Sequence, residues 1–256
     1  KYFGGNIVMS ETKSLSEVFK KIVRKTADAA VVPLENTTTG GIADTYDLLL
    51  NAKLFITGEI ILEIHHQLLV HKNQTSIKNL NFCFSHPQAI LQCEGFLSKY
   101  PKIRPLFTSD TASAAKEVAS RNNQAEAAIA GYDAGKFYGL KVLSRNIQDN
   151  KHNFTRFVVI STDPNKSGNK ISLAFSVAHV PGSLFKALKA YAVNNLNLMD
   201  IESRPLFGKP WEYIFYVDFE LKNQEKELRA TISQMKEYCQ FLTILGRYQK
   251  GKIYET

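Results

Sequence analysis

LNFCFSHPQAILQCEGFLSKYPKIRPLFTSDTASAAKEVASRNNQAEAAIA, residues 80–130, decides the fold class. Asn81 to Phe84 is a short apolar run that reads as a buried strand, Gln88 to Tyr100 has helical spacing, and Ile103 to Phe107 is again a strand. Ala112 to Arg121 is a helix and Ala125 to Ala130 a strand, and strands alternating with helices in this way predict a mostly parallel α/β unit. Upstream, Ser14 and Glu17 make a capping box for a helix over Leu15 to Lys25, whose apolar face is Leu15, Val18, Phe19, Ile22 and Val23. Ala29 to Val32 is a short strand stopped by Pro33, Ile42 to Leu50 is helical, and Leu54 to Val70 alternates as one long strand or crossover. Downstream, Phe154 to Ser161 is a β-branched and aromatic strand, and Asp163 to Asn169 has the Pro/Gly/Ser character of a linker.

Beyond that linker, Ile171 to Val177 alternates, Ser183 to Asn194 is helical, Met199 to Ser203 and Trp211 to Glu220 are strands, Glu225 to Tyr238 is helical, and Phe241 to Tyr248 is a strand. The order βαββαβ predicts a ferredoxin-like module. Two domains are expected, over residues 1–162 and 170–250.

Composition narrows the function classes. In 256 residues, 44% hydrophobic and 22% charged, a collagenous, disordered or disulfide-dense chain is excluded. Lys and Arg outnumber Asp and Glu by 32 to 24, and the net +8 suits an anionic partner. The basic residues are dispersed rather than clustered, so no nucleic-acid partner is expected. No window approaches the run of about 18 apolar residues that a membrane span needs, and Lys1 to Ser10 lacks the order of a signal peptide. The expectation is a cytoplasmic protein without a membrane partner. Because the chain opens on Lys1-Tyr2-Phe3, a fragment of a longer polypeptide is also expected. Cys83, Cys93 and Cys239 are odd in number and lie in apolar contexts, as free thiols do. His65-His66 reads as a strand pair with one ring in and one out, and no metal or cofactor is indicated.

Three strand-to-helix junctions place small polar residues ahead of a helix: Glu35 to Gly41, Ser85-His86-Pro87-Gln88, and Thr108 to Ser113. Each is explained by helix capping; together, on one sheet edge, they suggest a carboxylate-bearing ligand. Asn153-Phe154-Thr155-Arg156-Phe157 starts a strand with an amide, a hydroxyl and a guanidinium, which fits either an acid substrate or a polar edge strand. In the last module, Gly182 opens a helix and Glu202-Ser203-Arg204-Pro205 closes a strand, where a turn and a cap serve as well as a ligand site.

On these residues the chain resembles the prephenate dehydratase family, with a C-terminal ACT regulatory domain. The matching blocks are Val31 to Thr37 with Asp47-Leu48-Leu49, Gly58-Glu59, Ser85-His86-Pro87-Gln88 with Gln92-Cys93, Asn153 to Phe157, and Glu202 to Pro205. Gly208 to Glu212 with Phe215-Tyr216 looks most like the bifunctional enzymes, in which a chorismate mutase domain precedes the dehydratase.

The resemblance implies an α/β fold with two periplasmic-binding-protein-like lobes, a homodimer or homotetramer, and, in the full-length protein, a possible attached chorismate mutase domain. It implies conversion of prephenate to phenylpyruvate without a cofactor. Thr155 would be the donor to the departing hydroxyl and Arg156 a carboxylate partner, with Phe157 beside them. Asn36, Ser85 and Gln92 would orient the substrate, and Glu35 and His86 would lie near the cleft. L-phenylalanine would bind at a dimer interface between Gly182, Ser183 and Leu184 on one wall and Glu202, Ser203, Arg204 and Pro205 on another. The chain departs from the family in beginning after the usual glycine-rich opening loop, and in carrying Ser183 where the effector motif has alanine. The rival readings are arogenate dehydratase and a non-catalytic amino-acid sensor.

Overall fold

The computed structural model describes residues 2–5, 7–12, 14–206, 208–222 and 224–255. Helix α1 (Leu15–Val23) starts as the capping box predicts: Ser14 Oγ accepts from the Glu17 N–H at 3.3 Å, and Phe19 and Ile22 are its buried face. There follow β1 (Ala30–Asn36), β2 (Gly40–Gly41), α2 (Ala43–Ala52), β3 (Phe55–Glu63), β4 (Gln67–Val70), β5 (Phe82–Ser85), α3 (Pro87–Leu91) and α4 (Glu94–Leu97). Next come β6 (Arg104–Phe107), α5 (Thr111–Arg121), β7 (Glu126–Ala130), α6 (Tyr132–Phe137), β8 (Lys141–Ser144) and β9 (Phe154–Ser161). The chain closes with β10 (Lys170–Val177), α7 (Ser183–Val193), β11 (Leu198–Pro205), β12 (Tyr213–Glu220), α8 (Glu225–Lys236), β13 (Cys239–Tyr248) and β14 (Lys252–Glu255). These elements form two compact units, one of residues up to 61 with 155–253, the other of 62–154 with 254 and 255.

The second unit is built on the stretch that decides the fold class. Its sheet runs β6-β5-β7-β4-β8, with β5 parallel to β6 and β7, and β4 antiparallel to β7 and β8. It is therefore parallel over only half its pairings. β7 reads Glu-Ala-Ala-Ile-Ala and is buried throughout, because Ala127 and Ile129 face one apolar cluster and Ala128 and Ala130 another. The helix expected over Gln88 to Tyr100 is two short helices. It breaks at Gln92-Cys93, where the Gln92 carbonyl accepts from the Asp149 N–H at 2.7 Å and Asp149 Oδ2 accepts from the Gly95 N–H at 3.0 Å.

In the first unit the strand order is β11-β12-β10-β13-β3-β9-β1-β2, with β14 pairing β3 off this path. The βαββαβ module is present as β10-α7-β11-β12-α8-β13, every neighbouring pair within it antiparallel. Its sheet continues into the N-terminal strands through a parallel contact of β13 with β3 at Gly246 and Ile56. β1 does not stop at Pro33 as expected. Pro33 pairs with Phe157 and the register shifts between Pro33 and Glu35, so the missing N–H falls at an irregularity that the ladder tolerates. Of the two readings of Leu54 to Val70, the crossover is the one found: β3 belongs to this sheet and β4 to the other, with Ile64 to His66 between them.

Candidate active site

Thr155 is the second residue of β9 and lies opposite Asn36, the last of β1. Directly opposed residues share a face, and here Asn36 Nδ2 donates to Thr155 Oγ1 at 2.9 Å. Asn36 Oδ1 meanwhile accepts from the N–H groups of Thr38 (2.9 Å) and Thr39 (3.2 Å). That side-chain turn fixes the amide with its NH2 toward the threonine. A hydroxyl that accepts such a bond still carries one proton to donate, and the bond from Asn36 restricts where that proton points.

The neighbouring residue points to the opposite face of β9. Arg156, with 10% of its side chain exposed, donates through Nε to Glu59 Oε1 at 2.5 Å and through Nη2 to the Tyr248 hydroxyl at 3.0 Å. Asp218 also contacts Nη2. Nη1 lies 3.7 Å from Glu35 and 3.9 Å from Asp200. Lys170 Nζ donates to Glu59 Oε1 at 2.6 Å and lies 3.6 Å from Asp218, while Ser172 bonds both Asp218 and Tyr248. The Gly251 N–H completes Glu59 at 2.8 Å. Burial alone would push Glu59 up, yet Arg156 and Lys170 hold it below the usual carboxylate range. Burial likewise opposes the charge on Arg156, but Asp218, Tyr248 and Glu59 hold it ionised. Asp200 goes the other way: burial, then Glu35 and Asp218, raise its pKa.

A second constellation lies in the other unit. His66, 5% exposed, bonds Gln92 Oε1 through Nε2 at 2.8 Å, and Asn153 Nδ2 donates to the same oxygen at 3.1 Å. Gln148 Oε1 accepts from the His66 N–H at 3.0 Å and the Asp149 N–H holds the Gln92 carbonyl. Burial lowers the His66 pKa, so the ring is neutral at pH 7 and Nε2–H is the donor. Both side-chain bonds end on Oε1, so among the described residues the Gln92 amino group is left for another acceptor.

Residues 1–165 match the family described as prephenate dehydratase, or PDT. The chain belongs to the prephenate dehydratase family. It is 40% identical over 248 residues to arogenate dehydratase 2 of Petunia hybrida, covering 90% of this chain and 62% of that protein. It is 37% identical over 257 residues to the bifunctional chorismate mutase/prephenate dehydratase of Aquifex aeolicus, covering 99% and 70%. A solved prephenate dehydratase from Arthrobacter aurescens, in complex with L-Phe, has a TM-score of 0.82 at 25% identity, covering 93% of this chain and 80% of that one. The chain thus spans less than two thirds of the petunia relative's length.

The residues marked out by resemblance to the prephenate dehydratase family separate by environment. Asn36, Thr155 and Gln92 carry polar ends held by neighbours and pointed by them. Arg156 is committed to Glu59, Asp218 and Tyr248, a different task from the expected hold on a substrate carboxylate. Glu35 is half-buried beside it, and Phe157 is half-buried opposite Pro33. Ser85 is fully buried and donates to the Ile129 carbonyl at 2.6 Å, tying β5 to β7. His86 is exposed and caps α3, its Nδ1 accepting from the Gln88 N–H at 3.2 Å. Of the three junctions, those after β5 and β6 end parallel neighbours in one sheet, whereas Glu35 to Gly41 lies in the other unit. The α5 N-terminus already holds a carboxylate, since Asp110 accepts from the Ser113 N–H at 2.7 Å.

In the C-terminal module, Ser183 and Leu184 line a cavity of about 350 Å³ with His179, Pro181, Tyr213 and Phe215. Gly182 precedes α7 at φ +81°, the left-handed conformation that glycine adopts without strain. Glu202, Ser203, Arg204 and Pro205 lie on β11, one strand further out, with Arg204 donating to Asp47 at 3.1 Å. His66, read with His65 as a strand pair, lies instead between β3 and β4, and Gln148 and the quartet Glu59, Lys170, Asp218 and Tyr248 around Arg156 received no role from the sequence. Asn153 sits inside a quoted block, and the Gly58-Glu59 block was the only sign of the quartet.

Proposed function

We propose that the protein is a prephenate dehydratase, converting prephenate to phenylpyruvate with loss of water and carbon dioxide. The observation that carries this is the Asn36 to Thr155 bond at 2.9 Å, within a chain of that family. As the ring carboxylate leaves as carbon dioxide, its bonding electrons aromatise the ring and expel the ring hydroxyl. Thr155, oriented by Asn36, donates a hydrogen bond to that oxygen, the bond strengthens as negative charge develops there, and the departing hydroxide takes from solvent the proton that makes it water. Gln92 serves as an orienting amide through its amino end, which has no hydrogen-bond partner among the described residues.

The C-terminal module is taken as an ACT domain that binds L-phenylalanine at the cavity beside Ser183 and Leu184, which the L-Phe complex of the Arthrobacter relative supports. The protein works in the cytoplasm as a homodimer or homotetramer. β11 supports self-association, being the outer strand of its sheet with Met199 and Ile201 exposed. A linked chorismate mutase activity is supported by the bifunctional relative. Arogenate, the amino-acid counterpart of prephenate, is the second reading, favoured by the 40% identity to the petunia protein.

The test compares turnover of prephenate and arogenate with and without L-phenylalanine. Prephenate turnover suppressed by L-phenylalanine is expected, and a clear preference for arogenate would move the assignment to the second reading. In Thr155→Val, kcat is expected to fall about a hundredfold with KM within about twofold. Intact kcat with lost binding would refute the role given to the hydroxyl.

A further inference from the structure

Thr155 sits near an irregularity of its sheet. It is one residue from the start of β9, and the β1 ladder beside it has just shifted register around Pro33, which has no N–H to give. β9 lies between β3 and β1, with Asn36 opposite Thr155 and Glu35 opposite Arg156, so backbone pairing places the strand and the side chains refine where its start sits.

The next side chain adds a second hold. Arg156 is bonded from three strands: Glu59 on β3, Asp218 on β12 and Tyr248 on β13, with Lys170 on β10 neutralising the two carboxylates. The buried set holds two cations and two anions. Removing one member leaves an uncompensated charge in the interior, so the geometry is sharply defined. Tyr248, fully buried, takes Ser172 at 2.6 Å and Arg156 at 3.0 Å on one hydroxyl. Three of the four partners belong to the βαββαβ module.

We propose that Glu59, Lys170, Asp218 and Tyr248 are positioning residues for Thr155, acting through the Arg156 guanidinium. The C-terminal module thereby sets the strand position next to the reacting hydroxyl. This rests on the reading of Thr155 given above, and a purely structural network would affect stability while leaving kcat of the folded enzyme unchanged.

The experiment compares the full chain with Tyr248→Phe, which keeps the ring, with Asp218→Asn, and with Lys250→Met. The last removes an exposed ion pair with Glu220 and serves as the control. Kinetics are read alongside amide hydrogen exchange of the segment 154–161. Tyr248→Phe and Asp218→Asn are expected to lower kcat about tenfold with KM within about twofold, while Lys250→Met matches wild type. Wild-type kcat in folded Tyr248→Phe would overturn the proposal, whatever its melting temperature. If the wild type turns over neither prephenate nor arogenate, the functional reading fails and exchange decides. Faster exchange at Thr155 and Arg156 in Tyr248→Phe then upholds the tie between module and strand, and wild-type protection removes it.

Discussion

His66 shows how a residue with an ordinary sequence context acquires a definite state. Its Nε2 is used by Gln92, and its buried Nδ1 has no hydrogen-bond partner among the described residues. Burial lowers its pKa, the Gln92 bond works the other way, and His65 adds to the lowering. The unfolded chain takes up a proton near the usual pKa of about 6.5, and the folded chain resists it. Stability from this site is therefore fully present above about 6.5 and is lost as pH falls through the window down to the folded value. His66→Gln keeps a donor toward Gln92 but cannot titrate. Urea unfolding between pH 7 and 5.5 is expected to show a shallower loss of stability in His66→Gln than in wild type. Equal slopes would mean that the ring titrates alike in both states.

Among the elements, those fixed by local pattern were legible in the sequence. α1 announces itself by its cap and stripe, and the βαββαβ order by alternating periods of two and 3.6. What stayed hidden depended on distant residues. Pro33 reads as a stop, yet a register shift lets β1 continue to Asn36 and so creates the pairing with Thr155. Lys170 and Ser172 on β10, polar residues that received no role from the sequence, are buried and bonded to Glu59 and Tyr248. The candidate site divides in the same way: Thr155, Asn36 and Gln92 could be marked by resemblance, whereas the network behind Arg156 needs four strands to be assembled. Gly246 is another position whose meaning lies across the sheet. A Cβ there would lie 2.2 Å from the Ile56 carbonyl oxygen, because β13 and β3 approach closely at that pair. Gly246→Ala is expected to cost about 1–3 kcal/mol, measured by urea denaturation. A loss below about 0.5 kcal/mol, the range of a neutral surface change, would show that the strands can separate freely there.

For the whole molecule, sequence composition places a linker at Asp163 to Asn169, but apolar contacts follow a different division. One cluster joins Phe19, Ile22, Leu34, Leu49 and Ile56 to Ala174, Ile214, Tyr216, Leu245 and Tyr248. A fragment of residues 170–250 would leave those last five side chains without their cover and Lys170 and Asp218 without Arg156 and Glu59. At about 1.5–3 kcal/mol for each large apolar side chain, the loss rivals the whole stability of an ordinary domain, about 5–15 kcal/mol. Residues 62–154 differ, since their two apolar clusters draw every buried member from within that span. The fragment 62–154 is expected to unfold cooperatively by itself, whereas 170–250 alone is expected to unfold without a sharp transition and to bind a hydrophobic dye. A sharp transition for 170–250 at the melting temperature of the full chain would show that the module owes nothing to the N-terminal strands, and that its buried ion pairs have no structural role in holding it.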